Sequence, residues 1–224
     1  MSDPVHIAAI DAGSNAVRLA VARAYSALDI EPLVSERYSL RLGEGVFLRH
    51  RFSEELFKRA VKAFRHFHEI MEEFGVTRYR AVATSASREA RNRDAFIAQI
   101  KQKTGIKLEV ISSGEESRLG RIAVQAALGP ESPPGCIADL GGGSLEISIL
   151  RDHKVELASQ LPVGTVRLMS TLKIHGVIRP AQAEQVRRYV RALLESRLPS
   201  RPNLGEQICV ALGGNAETLA NIAP

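Results

Sequence analysis

Tryptophan is missing from this chain of 224 residues, aromatic residues make up only 5% of it, and there are two cysteines. No segment interleaves aromatic with basic side chains, so the stacking platform of a single-strand nucleic-acid binder is not there. Two cysteines, Cys136 and Cys209, cannot build a disulfide framework. Each abuts a predicted strand, and both are expected to be reduced core residues of a cytosolic protein. No apolar run approaches the roughly 18 residues that a membrane helix needs. The first residues, MSDPVHIAAID, lack a basic segment ahead of an apolar one, which argues against a secretory signal. A cytoplasmic protein with no membrane partner is expected.

At 45% hydrophobic and 25% charged residues, the composition is that of an ordinary globular protein of one large or two small domains. The formal charge is +5, with Lys and Arg totalling 30 against 25 Asp and Glu. An anionic partner follows. The arginines are spread along the chain and form no basic tail, which favours a phosphate-rich small ligand or polymer over nucleic acid.

Two stretches share one pattern. Residues 136–150, CIADLGGGSLEISIL, read as a strand ending at Asp139, a turn of Gly141, Gly142, Gly143 and Ser144, and a second strand. Residues 7–22, IAAIDAGSNAVRLAVA, repeat this: an apolar run to Asp11, then Gly13, Ser14 and Asn15, then another apolar run. The two aspartates are 128 positions apart, about half the chain, and suggest an internal duplication. A glycine turn lets a ligand approach backbone N–H groups closely. It is also common in plain hairpins, which need only two turn residues.

Between these stretches, residues 30–42 read as a third strand running into Arg41-Leu42-Gly43-Glu44-Gly45-Val46. Ser53 caps a helix with Glu54 and Glu55 at its positive end, and Phe57, Ala60, Val61, Phe64, Phe67, Met71 and Phe74 form its apolar stripe, closed by Gly75. His66 and His68, two positions apart, do not share a helix face and do not suggest a metal. A strand over 79–84 runs into Ser85-Ala86-Ser87-Arg88-Glu89-Ala90-Arg91-Asn92, at the strand end where α/β sheets bind ligands. A short helix over 92–103 and a strand over 107–111 follow, then a helix over 115–128. Its opening acids, Glu115 and Glu116, are either dipole-favoured caps or include a general base.

Residues 129–135, GPESPPG, are a Pro/Gly-rich linker. After the second hairpin come a strand over 154–160, a helix opened by Pro162-Val163-Gly164-Thr165, and a helix from Pro180 with Val186, Val190, Leu193 and Leu194 inward. Arg187, Arg188 and Arg191, with Arg201 beyond them, are a solvated face or a polyanion track. A strand over 208–212 ends in Gly213-Gly214-Asn215. The second half stops short of the elements in the first, so a fragment of a longer chain is expected.

In this order, IDAGSNAVRL, RLGEGV, TSASREARN, SSGEESRLG, ADLGGGSLEIS and PVGTVRL resemble the exopolyphosphatase/guanosine pentaphosphate phosphatase (Ppx/GppA) family, within the actin, sugar-kinase and chaperone ATPase superfamily. The resemblance spans nearly the whole chain. It implies an α/β, duplicated ribonuclease H-like, two-lobed fold with a cleft between the lobes and a second lobe incomplete at its C-terminus. The lobes are expected over 1–129 and 136–224, with 130–135 as linker. The implied activity is hydrolysis of terminal phosphoanhydride bonds in polyphosphate or pppGpp with Mg²⁺ or another divalent cation. Carried over by motif, Glu116 is the general base and Asp139 its catalytic partner. Gly13, Ser14, Asn15, Gly141, Gly142, Gly143 and Ser144 form phosphate loops that clamp phosphates, and Arg41 and Arg88 face the phosphate chain. Asp11, Asp139 and Glu146 are the metal candidates.

There are two departures from the family pattern: Leu145 stands where a Thr is common, and Asn215 and Glu217 replace small residues in the last turn. They leave two alternatives open, a non-catalytic sensor of (p)ppGpp, nucleotide or polyphosphate, and an ATP-dependent phosphotransferase. Polyphosphate or guanosine penta- or tetraphosphate is the expected partner, with a homodimer as one admissible assembly.

Overall fold

A computed structural model describes residues 3–27, 29–129, 132–151, 154–198 and 207–222. Arg201, Pro224 and the first two linker positions, 130 and 131, lie outside the described residues. The chain divides into two compact units, Met1–Ser112 and Ser113–Pro224.

The first unit opens with strands β1 (Val5–Ala12), β2 (Val17–Ala24) and β3 (Ile30–Tyr38). They run antiparallel, with Asp11 opposite Arg18 and Ala12 opposite Val17. A single turn, α1 (Val46–Arg49), and the long helix α2 (Glu54–Glu73) follow. Strand β4 (Arg78–Ala83) then joins β1 in parallel, and after α3 (Ser85–Glu89) and α4 (Arg93–Thr104), β5 (Leu108–Val110) joins β4. The sheet order is β3-β2-β1-β4-β5. Strand β3 ends four residues before the predicted limit, because residues 39–43 leave the sheet to pack on the first hairpin.

Helix α2 forms for the reasons its sequence announces. The Ser53 hydroxyl accepts from the Leu56 N–H, and Gly75 in the left-handed region ends the helix. Its fully buried stripe is Leu56, Ala60, Ala63, Phe64, Phe67, Ile70 and Met71. Phe57, Val61 and Phe74, expected inward, are only half-buried. Phe52, Phe57 and Phe96 close the core against α4, with Phe52 and Phe96 ring centres 4.7 Å apart. Asn92 fixes the Phe52 backbone through both ends of its amide, at 2.9 and 3.0 Å. His66 and His68 pair with Glu69 and Glu72 on the exposed side of α2.

The second unit contains α5 (Ser113–Leu128), β6 (Cys136–Leu140), β7 (Leu145–Arg151), β8 (Lys154–Leu161), α6 (Thr165–Thr171), α7 (Pro180–Arg197), β9 (Cys209–Leu212) and α8 (Gly214–Ile222). The sheet order among the described residues is β8-β7-β6-β9, with β6–β7 and β7–β8 antiparallel and β6–β9 parallel. This repeats β3-β2-β1-β4 strand for strand, so the duplication is real in topology. One sheet face carries Ile147, Ile149 and Leu161, joined by Val163 just past β8, against Leu168 and the Val190, Leu193 and Leu194 side of α7. Arg187, Arg188 and Arg191 are exposed on α7, and Arg187 pairs with Glu184. The opposite face receives α5, where Arg121 reaches the Ser148 hydroxyl. Helix α5 therefore groups with the second sheet, although it precedes the linker at 130–135. Cys209 is exposed and Cys136 half-buried, so the expected core placement fails for Cys209: it opens β9, the outermost strand of this sheet among the described residues. No helix among the described residues is long and apolar enough to cross a membrane.

Candidate functional site

Each unit builds its hairpin in the same way. The Gly13 N–H donates to the Ala16 carbonyl, and the Gly141 N–H to the Ser144 carbonyl, both at 3.0 Å. Four loop residues thus close onto Ala12–Val17 in one unit and Leu140–Leu145 in the other. Gly13 matches Gly141, Ser14 matches Gly142, Asn15 matches Gly143, and Ala16 matches Ser144. The serines, which the sequence pattern sets side by side, are not equivalent. Ser14 is buried and its hydroxyl accepts from the Ala86 N–H at the start of α3, so what it presents at the turn is backbone.

The segment after the third strand buttresses each turn. In the first unit, Arg41 N–H donates to the Asn15 carbonyl and Gly43 N–H to the Ser14 carbonyl, both at 2.8 Å. In the second, Thr165 N–H donates to Gly141, Arg167 N–H to Gly142, and Arg167 Nε to the Gly143 carbonyl at 2.6 Å. In a trans peptide the carbonyl of one residue and the N–H of the next point in opposite directions. Turning the carbonyls of Gly141, Gly142 and Gly143 towards α6 therefore turns the N–H groups of Gly142, Gly143 and Ser144 away from it. The same holds for Asn15 and Ala16 against the 41–43 segment. A row of like-directed N–H groups is an anion cradle. Gly164 makes the close approach possible: a Cβ there would lie 2.5 Å from the Gly142 carbonyl carbon and oxygen.

The acids of the second unit lie on the α5 face of its sheet. Asp139 stands opposite Glu146 in register, so their side chains share that face. Glu146 is buried, and Gln160 Nε2 donates to its Oε1 at 2.7 Å. In α5, both oxygens of Glu115 are taken by Arg118, at 2.7 and 2.9 Å. Glu116 lies one turn before Gly120 on the same helix face. A Cβ on Gly120 would be 3.4 Å from Leu212, the β9 neighbour of Asp139. Of the two adjacent acids, Glu115 is thus the one held in a helix-surface ion pair, and Glu116 lies on the side that packs over the sheet.

The first unit holds the remaining candidates. Asp11 is exposed to water, yet surrounding protein holds its carboxyl above the ordinary carboxylate range, with the Arg18 guanidinium pulling the other way. Arg41 sits in the left-handed region at φ 53°, which non-glycine residues seldom adopt and which aims its N–H at Asn15. A hollow beside it is lined by Arg41, Arg49, Arg51 and Arg59 against Glu44 and Glu55. Arg88 is half-buried on α3 and donates to the Ile111 carbonyl at 3.1 Å, which ties it to the end of β5.

Leu145 and Asn215, which depart from the family pattern, have structural roles. Leu145 packs on the Ile147–Leu161 core, on the face away from Asp139. Asn215 donates to the Leu140 carbonyl at 3.1 Å and pins the last turn to the end of β6, while Glu217 is exposed. Gly213, at φ 96°, comes so close that a Cβ would lie 2.5 Å from the Leu140 oxygen and 3.3 Å from Asp139 Oδ1. Sequence reasoning passed over Gln160, which holds Glu146, and Arg167, which grips the turn. Arg167 was signalled by the PVGTVRL segment; Gln160 had no signal, because strand register alone brings it to Glu146.

Among the described residues, no three His, Cys, Asp or Glu side chains gather as a metal cluster. The donor chemistry still suits a hard cation. Two carboxylates facing each other across strands repel, and Mg²⁺ typically takes one or two carboxylates and completes its shell with water and phosphate oxygens.

Residues 20–223 match the profile of the Ppx/GppA phosphatase family. Exopolyphosphatase 2 of Mycobacterium tuberculosis is 33% identical over 225 aligned residues, covering 97% of this chain and 70% of the relative. A crystal structure of an exopolyphosphatase-like protein superposes with a TM-score of 0.87 at 28% identity, covering 99% of this chain and 70% of that one. An exopolyphosphatase from Cytophaga hutchinsonii gives 0.85 at 27% identity, covering 97% and 69%. Family profile, relatives and fold agree, and this chain belongs to the Ppx/GppA phosphatase family.

Proposed function

We propose that the chain is a phosphoanhydride hydrolase that releases terminal phosphate from inorganic polyphosphate, with pppGpp as a second substrate of the same chemistry. The observation that carries this reading is the pair of buttressed hairpins, whose carbonyls are engaged from behind and whose N–H groups are turned the other way. Phosphoryl transfer needs little covalent chemistry from the protein. It needs positioned N–H groups, cations, and a base that orients an in-line water. Gly142, Gly143 and Ser144 bind phosphate oxygens through backbone N–H groups, as do Asn15 and Ala16 in the other unit. Glu116 takes the proton of the attacking water. Its place in the first turn of α5 favours the ionised carboxylate through the helix dipole.

Asp139 and Glu146 would hold a divalent cation in the second unit, and Asp11 is the metal candidate of the first unit by itself. That cation, when bound, neutralises charge on the phosphate oxygens. Gln160 orients Glu146 towards this role. The arginines around the hollow beside Arg41 favour a polyanion with more than one phosphate. A cytoplasmic location accords with the nature of both substrates.

The test is phosphate release from polyphosphate and from pppGpp, with Mg²⁺ and with chelator. Mg²⁺-dependent release from polyphosphate is expected. Ligand-induced thermal stabilisation without release would overturn hydrolysis in favour of a sensor. ADP formation from ATP with transfer of the γ-phosphate to an acceptor would overturn it in favour of a phosphotransferase.

A further inference from the structure

The two cysteines are 73 positions apart in the chain, yet the fold makes them immediate neighbours. Cys136 opens β6, Cys209 opens β9, and the strands are parallel with these residues in register. In-register residues of neighbouring strands project to the same sheet face, on strands about 4.8 Å apart. A disulfide spans Cα atoms about 4.4–6.8 Å apart. Both residues are the first of their strands, where the backbone adjusts most easily. Register alone therefore brings the two thiols to neighbouring positions on one face. Among the described residues, Cys209 is exposed and lies on the outermost strand of its sheet, whereas Cys136 is half-buried. None of the chemistry described above uses either sulfur.

We propose that Cys136 and Cys209 are a reversible oxidative modification site, at which a peroxide converts the thiol pair to an intrachain disulfide tying β9 to β6. The exposed Cys209 thiolate attacks one peroxide oxygen and the O–O bond breaks. Cys209 becomes a sulfenic acid, and the departing hydroxide takes up a proton to leave as water. The Cys136 sulfur then attacks Cys209 Sγ, the S–O bond breaks, and the Cys136 proton leaves with that hydroxide as a second water. Two thiols lose two electrons in total, and the peroxide is reduced to two waters. Burial, with Cys209 adding to it, pushes the Cys136 thiol up. Cys136 is thereby kept protonated and the first attack falls to Cys209.

The placement links this chemistry to the carboxylate end of the same strands. Asp139 lies three residues beyond Cys136 on β6, and Leu212 lies three beyond Cys209 on β9, directly before the Gly213 turn. A bond at the strand starts removes the freedom of β9 to shift against β6, and so holds Gly213 and Asn215 in place at the end of β6.

The experiment treats the folded chain with hydrogen peroxide, alkylates the remaining thiols and maps the cysteine peptides by mass. In a monomer, the Cys136 and Cys209 peptides are expected to be linked, with two hydrogens lost, no alkylation at either residue, and full recovery of both thiols on reduction. Cys136→Ser should halt oxidation at a Cys209 sulfenic acid trapped by dimedone, and Cys209→Ser should leave Cys136 unmodified. Two alkylatable cysteines after treatment, Cys209 oxidised in wild type without the link, or a link only between two chains would each overturn the proposal. The wild-type mapping needs no substitution to fold. It is read by mass, so its outcome is independent of whether the chain hydrolyses phosphoanhydrides.

Discussion

Asp139 stands directly across from Glu146 between β6 and β7, whereas the matching pair in the first unit is Asp11 across from Arg18. The duplication kept the strand register and changed the charge. In one hairpin the aspartate faces an arginine, whose pull desolvation outweighs. The other has two carboxylates on the α5-facing side, and Gln160 supplies hydrogen bonding without charge.

That contrast predicts the behaviour of Glu146→Gln. Like charges directly opposite each other in a sheet cost up to about 1 kcal/mol. In chelator, the variant should melt no lower than wild type, because the substituted amide keeps an oxygen that accepts from Gln160. Added Mg²⁺ should stabilise wild type and leave the variant unmoved. A large loss of stability in chelator would show that Glu146 is structural and not a cation ligand.

The two acids of α5 should separate cleanly. Glu116→Gln should lower kcat by about 10²–10⁴-fold, the usual contribution of a general base, with the fold retained by circular dichroism. Glu115→Gln weakens a partly exposed pair with Arg118 that is worth under about 1 kcal/mol, and should leave kcat near wild type. If Glu115→Gln were the inactive variant, the assignment of the base would be reversed.

Gly164→Ala tests the buttress. The backbone of Gly164 is not in a glycine-only region, with φ −141°, so any cost comes from contact alone. The added methyl meets the Gly142–Gly143 peptide, which has no side chain to move aside. A loss of about 1–3 kcal/mol by urea unfolding is expected, together with weakened phosphate binding. Unaltered binding in a destabilised variant would argue that the turn's N–H groups do not hold phosphate.

Asp11 gives a pH dependence of definite sign. Its folded carboxyl binds its proton more tightly than the unfolded one. Its contribution to stability is therefore complete below the ordinary carboxylate range and is lost as pH rises through the raised folded value. Asp11→Asn, which mimics the protonated form, should be more stable than wild type at neutral pH in chelator. The gap should close in acid. A gap that widens in acid would mean Arg18 outweighs desolvation.

Much of this protein is legible in its residues. Alternating apolar runs, Asp before a small-residue turn, the Ser53 cap and the Gly75 stop are local signals, because hydrogen bonding and backbone sterics act within a few residues. The repeat of IAAID and CIADL likewise reads directly, since a duplicated strand keeps its side-chain pattern. Which residues meet across elements was decided by tertiary structure. Register put Glu146 before Asp139 and Gln160 beside Glu146, and a one-residue slip would have placed all three on other faces. Packing of the 164–167 segment turned the glycine carbonyls away and so gave the turn's N–H groups their direction. Strand order brought Cys209 next to Cys136 and grouped α5 with the second sheet, ahead of the linker that composition alone marks as the divide. Such contacts form only when distant segments bury apolar surface together, and no local pattern of residues encodes them.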